Sequence, residues 1–206
     1  MKKSFTLLEL ILSLSLLFIL YSIFTPNLKR NTLEEATNRL VFYLKLTRFQ
    51  AIIDDKFLLD DNTWHKKRWT LKFLRCRKDV GGFYYTIYSD KNNSGHPGKN
   101  DSLKDPLTKK NIYSSNFCNE SIYNSKYTLL SKYYYINDIS VSCNNTSSLG
   151  QISFSSTGKV YSKLSNFENS ANDYEISEPC IITLSDLKGE KSKILIENGT
   201  GFIKKL

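Results

Sequence analysis

The chain has 206 residues, a formal net charge of +9, four cysteines and two histidines. That length provides one compact domain beyond any terminal segment. The positive balance excludes an acidic, self-solvating chain and favours acidic partners such as nucleic acid or anionic lipid. Two histidines without metal-ligand spacing, and no C-x-x-C pair, exclude zinc-ribbon and dithiol redox motifs.

The first predicted element is the apolar run from Phe5 to Phe24. Lys2 and Lys3 precede it, Glu9 sits near its start, and no charge follows from Leu10 to Phe24. A run of 20 residues is long enough to cross a bilayer as a helix. A secretory signal peptide shares the charged start but carries no glutamate and ends in a small-residue cleavage site, which Ser22-Ile23-Phe24-Thr25-Pro26 does not supply. The first cysteine is Cys76, which excludes a lipoprotein signal. A plain membrane anchor and a processed leader remain. The flanking lysines favour a cytoplasmic N-terminus and a periplasmic head.

The helix is expected to continue beyond Pro26. Leu33, Ala36, Leu40, Leu44, Thr47 and Ala51 recur three and four residues apart, as one helical face does. Glu34, Glu35, Arg39, Lys45 and Arg48 fall off that stripe, so the helix is an amphipathic stem ending near Asp54 or Asp55. Short aromatic and β-branched runs follow, bounded by Asp, Asn and Gly. They are Phe57–Leu59, Trp69–Phe73, Phe83–Tyr88, Tyr133–Ile136, Ile139–Cys143, Gln151–Phe154, Lys159–Tyr161, Cys180–Leu184, Lys193–Glu197 and Gly201–Lys205, and they read as strands. Residues 89–127 are rich in Asn, Ser, Lys and Gly and read as a long, partly ordered insertion. Residues 162–179 form another polar loop.

Four cysteines in an oxidising compartment form disulfides. Cys76, Cys118, Cys143 and Cys180 allow three pairings. Joining sequence neighbours, Cys76 with Cys118 and Cys143 with Cys180, is favoured. The stretch Asp90-x-Asn92-x-Ser94-Gly95, with Asp101 beyond it, loosely follows a calcium loop, but it lacks the bidentate glutamate and its residues are also turn formers. No nucleophile motif, phosphate loop or metal spacing is present. Asp54-Asp55 and Asp60-Asp61 flank turns and read as solvated. The expectation is a non-enzyme without cofactor or metal.

Lys3-Ser4-Phe5-Thr6-Leu7-Leu8-Glu9-Leu10 resembles the leader of type IV pilins and pseudopilins, in which Phe5, Thr6, Leu7, Glu9 and Leu10 match and Ser4 replaces the usual glycine. Pro26 stands where that family often places a helix-kinking proline. Leu46–Ile52, the Asp90-x-Asn92-x-x-Gly95 and Asp105-Pro106-Leu107 segments, Gln151–Val160 and Gly201–Lys205 resemble stretches of minor pseudopilins of the GspH/FimT type, with 108–132 unaligned. The resemblance implies cleavage between Ser4 and Phe5 by a prepilin peptidase, N-methylation of Phe5, and pairing of Glu9 with the freed amine of a neighbouring subunit. It implies an α+β, type IV pilin-like fold. A long N-terminal helix, membrane-spanning in its first half and amphipathic in its second, would pack on a β-rich periplasmic head. The divisions are a leader at 1–4, a transmembrane helix at 5–26, a stem at 27–55 and a head at 56–206.

The functional expectation is a structural subunit of a type II secretion pseudopilus or of a type IV or competence pilus, held as a single-pass inner-membrane protein. Its partners would be other pilins through the N-terminal helix, the prepilin peptidase, the inner membrane and DNA. DNA uptake is one alternative. Lys66, Lys67 and Arg68, beside Trp64 and Trp69, and the tail pair Lys204 and Lys205 are its candidate contacts, because cations neutralise phosphates and aromatics stack bases. A membrane-anchored binding protein that never polymerises is the other.

Overall fold

In a computed structural model that describes residues 6–24, 31–95 and 98–206, the chain divides into two compact units, Met1–Asn31 and Thr32–Leu206. The first unit holds helix α1 (Leu7–Phe24). Thr6 and Glu9 start it. The Glu9 carboxylate accepts the Thr6 N–H and hydroxyl, each at 3.0 Å, and the Glu9 N–H donates to Thr6 Oγ1 at 3.3 Å. This is a reciprocal capping box, which satisfies amides that the first helical turn leaves unpaired.

The second unit begins with helix α2 (Thr32–Ile53), whose buried face carries Leu33, Ala36, Thr37, Leu40, Tyr43, Leu44, Thr47 and Ala51. Two threonines on that face spend their hydroxyls inside the helix: Thr37 donates to the Leu33 carbonyl at 2.8 Å and Thr47 to the Tyr43 carbonyl at 2.7 Å. They can therefore sit in an apolar core without an unpaired donor. The helix packs on two antiparallel sheets. The first has the order β2-β1-β4-β5, from β1 (Thr70–Arg75), β2 (Phe83–Tyr88), β4 (Gln151–Phe154) and β5 (Val160–Tyr161). The second has the order β3-β6-β7-β8, from β3 (Ile136–Val141), β6 (Cys180–Asp186), β7 (Lys191–Ile196) and β8 (Ile203–Lys205), with a short helix α3 (Leu130–Tyr134) leading into β3.

Register follows the side-chain alternation of each strand. Leu71 faces Ile87 across β1 and β2 and Ile152 across β1 and β4, and Phe73 faces Tyr85. These residues join α2 and the inner faces of β6 and β7 in one core. The opposite face of β2 is also covered. Tyr84 packs with Cys118 and Leu129 in a second small cluster that includes Leu74 and Cys76. A strand buried on both faces reads as a continuous aromatic run, which accounts for Phe83–Tyr88. Insertion 89–127 runs along the outer edge of β2: Ile87 N–H donates to the Ile112 carbonyl and Leu103 N–H to the Ile87 carbonyl.

Several expectations are overturned. The type IV pilin-like architecture required one long N-terminal helix packed on a head. Instead the helical residues form α1 and α2, which belong to separate compact units. No helix among the described residues is long and apolar enough to cross a membrane. The 18 residues of α1 rise about 27 Å, short of the roughly 30 Å hydrocarbon core, and Glu9 places a charge in the first turn. The transmembrane segment at 5–26 and the single-pass inner-membrane placement, with its cytoplasmic N-terminus and periplasmic head, fall with it. Phe57–Leu59 is not a strand. Asp55 accepts the Phe57 N–H at 3.0 Å and turns the chain there, leaving all three side chains exposed.

Candidate functional site

The side chains described along α1, from Leu7 to Ser22, are all exposed, among them Leu10, Leu14, Leu17, Phe18 and Tyr21. An apolar surface of that extent marks an interaction surface. Glu9 is the one charged residue of the helix. Its pKa lies below the usual carboxylate value, first because of the Thr6 amide and then because of the Thr6 hydroxyl. Its carboxylate therefore stays ionised while it caps the helix. The sequence reading missed this cap, although Thr6-x-x-Glu9 before an apolar run is its signature. Ser4 and Phe5, the expected cleavage and methylation positions, and Pro26 lie outside the described residues.

The cysteines pair as Cys76–Cys118 and Cys143–Cys180, with Cα separations of 5.8 Å and 5.3 Å. The first ties the end of β1 to the insertion. The second ties the segment after β3 to the first residue of β6.

The candidate nucleic-acid contacts are not gathered into one open patch. Lys67 pairs with Asp61 at 2.7 Å, and Asp61 is held at a pKa of about 2 by that ammonium first and by Thr63 next. Arg68 is buried: its guanidinium lies 3.9 Å from the Tyr161 ring centre and 4.8 Å from that of Trp64, and it donates to the Ala171 carbonyl at 2.6 Å. Trp69 is buried too, donating to Asp54 at 2.8 Å, so it offers no stacking platform. Lys204 pairs with Glu197 at 3.6 Å and Lys205 with Glu34 at 2.8 Å. Lys66 is half-buried on a short helical turn, Trp64–Lys67.

The loop after Asp90 uses its carboxylate internally. Asp90 accepts the Ser94 and Gly95 amides at 3.0 and 2.8 Å. Among the described residues no cluster of three or more histidine, cysteine or carboxylate side chains could hold a metal. Asp54 and Asp61 are engaged by Lys56 and Lys67, while the one described histidine, His65, is buried against the Ser165 carbonyl at 3.1 Å. Neither arrangement provides a paired acid and base.

Two features escaped the sequence reading. Asp105 is fully buried and accepts hydrogen bonds from Tyr43, Thr108 and the Leu107 amide. Gly158 and Gly201 approach so closely that a Cβ on Gly201 would lie 2.5 Å from the Gly158 carbonyl oxygen, and Arg48 donates to the adjacent Thr200 carbonyl at 3.0 Å. The Asp105-Pro106-Leu107 segment and both glycines lie in stretches that carry the family resemblance, but nothing local in them signals a buried carboxylate or a close approach of two main chains. Comparison with protein-family models, with curated proteins and with solved structures finds no match for this chain.

Proposed function

We propose that the chain is an assembly subunit of pilin or pseudopilin type, a structural component of a secretion pseudopilus or a pilus. One observation carries the reading: an 18-residue apolar helix whose described side chains are exposed, on a chain whose second unit already has its own core. Apolar surface of this kind is covered in use, and helices of like composition cover one another by ridge-and-groove packing. The leader residues Phe5, Thr6, Leu7, Glu9 and Leu10 support a processed subunit. Glu9 stays ionised, so it can meet the amine that cleavage frees on a neighbouring copy.

The test is coexpression with a prepilin peptidase, followed by intact-mass spectrometry and chemical crosslinking. The expected product lacks Met1–Ser4 and carries an added methyl at its new N-terminus, and it gives a ladder of crosslinked species. An intact N-terminus in those cells, or a processed chain that crosslinks only to itself as a monomer, overturns the proposal.

A further inference from the structure

A groove of about 610 Å³ opens between the tip of the β1–β2 hairpin and the turn from α3 into β3. That size suits a small organic ligand. The backbone of Gly81 to Phe83 and the Cys76–Cys118 disulfide line it with Leu129 and Ile136, and Lys132, Tyr135 and Leu187 are among its exposed lining residues. Its shape is held by Ser131, which accepts the Phe83 N–H at 2.9 Å and donates to the Ile136 carbonyl at 2.6 Å. Gly82 packs so tightly there that a Cβ would lie 2.7 Å from that of Ser131.

Two independent observations single out the groove, and the first gives it a ligand chemistry. The first is charge. Lys132 lines it, Asn119 and Asn137 add amide donors, and no carboxylate is part of the lining. The second is backbone conformation. Tyr135 ends α3 at φ +59°, in the left-handed region, and Cys118 lies at φ +51°. Glycine or asparagine ordinarily takes the position after a helix, because a bulky residue is strained there. A tyrosine that bears this strain while the residue stays 58% exposed is not placed there to fill the core. Two of the six non-glycine residues at positive φ among the described residues therefore border this one groove, and backbone strain of that kind concentrates at ligand sites.

We propose that this groove binds a small organic anion, a single carboxylate carried on an aromatic or branched aliphatic body. Lys132 and the two asparagine amides take the carboxylate. Val80, Phe83, Tyr135 and Leu187 cover the body. The inference is independent of the assembly role, since it concerns the head alone.

The experiment titrates the full chain with phenylbutyrate, and with phenylbutanol as the uncharged counterpart, following backbone amide shifts by NMR. Saturable shifts are expected at Gly81, Gly82, Lys132, Tyr135 and Leu187, stronger for the acid. Lys132→Gln should weaken the acid by about two- to fivefold, the range of a solvent-exposed ion pair, and remove its advantage over the alcohol. Tyr135→Gly relieves the backbone strain, so it should keep or raise Tm while weakening both ligands. Shifts confined to α1, no saturable shift, or equal affinity in all three proteins overturn the proposal. So does a Tyr135→Gly protein that loses stability without losing affinity. Shifts at the groove that track protein concentration without ligand would assign it to a second copy, and also overturn it.

Discussion

Tyr43 and Asp105 stand 62 positions apart in the chain, and the tyrosine hydroxyl donates to the aspartate Oδ2 at 2.8 Å. Both are fully buried. Burial pushes the phenol pKa well above its ordinary value, and the Asp105 hydrogen bond and charge push it further, so it stays a donor at every physiological pH. The contact anchors the polar insertion to the face of α2 that organises the core.

Removing that hydroxyl leaves a buried carboxylate short of one donor. Tyr43→Phe should therefore cost about 1–3 kcal/mol, more than the loss of an exposed hydrogen bond. Urea unfolding of the two proteins measures it. A cost below about 0.5 kcal/mol would mean that the Leu107 amide and Thr108 hydroxyl suffice for Asp105.

Gly201 has φ +64°, and its missing side chain makes room for the Gly158 carbonyl. Gly201→Ala meets both a disfavoured backbone and a clash with main chain that cannot swing away. We expect a loss of about 2–4 kcal/mol. Gly199, also at positive φ but with open space around it, serves as the control, since Gly199→Ala meets the backbone penalty alone. Equal losses at the two positions would remove the close approach from the account.

Stability should fall in mild acid through His65. Its Nε2 faces the Ser165 carbonyl and so carries the proton, and its buried Nδ1 has no hydrogen-bond partner among the described residues. Burial lowers its pKa, and the positive charges of Arg68 and Lys66 add to this against the opposing Ser165 carbonyl and Asp173. The unfolded chain then takes up the proton first. The contribution is complete above the unfolded value near 6.5 and declines as pH falls from there towards the lower folded value. Unfolding midpoints measured between about pH 7.5 and about pH 5 should drop, and His65→Gln should flatten that drop. An unchanged slope in the variant would place the titration elsewhere.

The two disulfides close loops of 42 and 37 residues. The chain-entropy account assigns each about 4 kcal/mol. Cys143→Ala with Cys180→Ala should lower the global unfolding midpoint, because Cys180 belongs to the main core. Cys76→Ala with Cys118→Ala removes the bond inside the satellite cluster. Its hydrogen-exchange signature should be loosened amides near 77–83 and 115–119, with β6 and β7 still protected. Global loosening in that variant would contradict the division into two clusters.

Glu9 has two roles to separate. Glu9→Ala removes both the cap and the charge, while Glu9→Gln keeps an acceptor oxygen for Thr6 and removes only the charge. Crosslinked oligomer yield should fall in both, and fall further in the alanine variant, which also loses about 1 kcal/mol of helix capping. Wild-type yield from Glu9→Gln would take the charge out of assembly.

The sequence by itself determined what is local. The stripe Leu33, Ala36, Leu40, Leu44, Thr47 and Ala51 is legible because a helix face repeats within a few residues, and all six are buried. The alternation of Leu71 and Phe73 is legible for the same reason. Only the tertiary structure decided what depends on distant segments meeting. It chose among three cysteine pairings by bringing two pairs of Cα atoms within 6 Å. It ordered the strands as β2-β1-β4-β5 and β3-β6-β7-β8, which no short window of residues encodes. It set Lys67, Lys204 and Lys205 against carboxylate partners and buried Arg68, although a run of cations in sequence looks free. It also placed the described helices Leu7–Phe24 and Thr32–Ile53 in separate compact units, where hydropathy alone suggested one continuous span and stem. Hydropathy records how apolar a segment is, whereas helix length, cover and partner are set by what the rest of the chain brings to it.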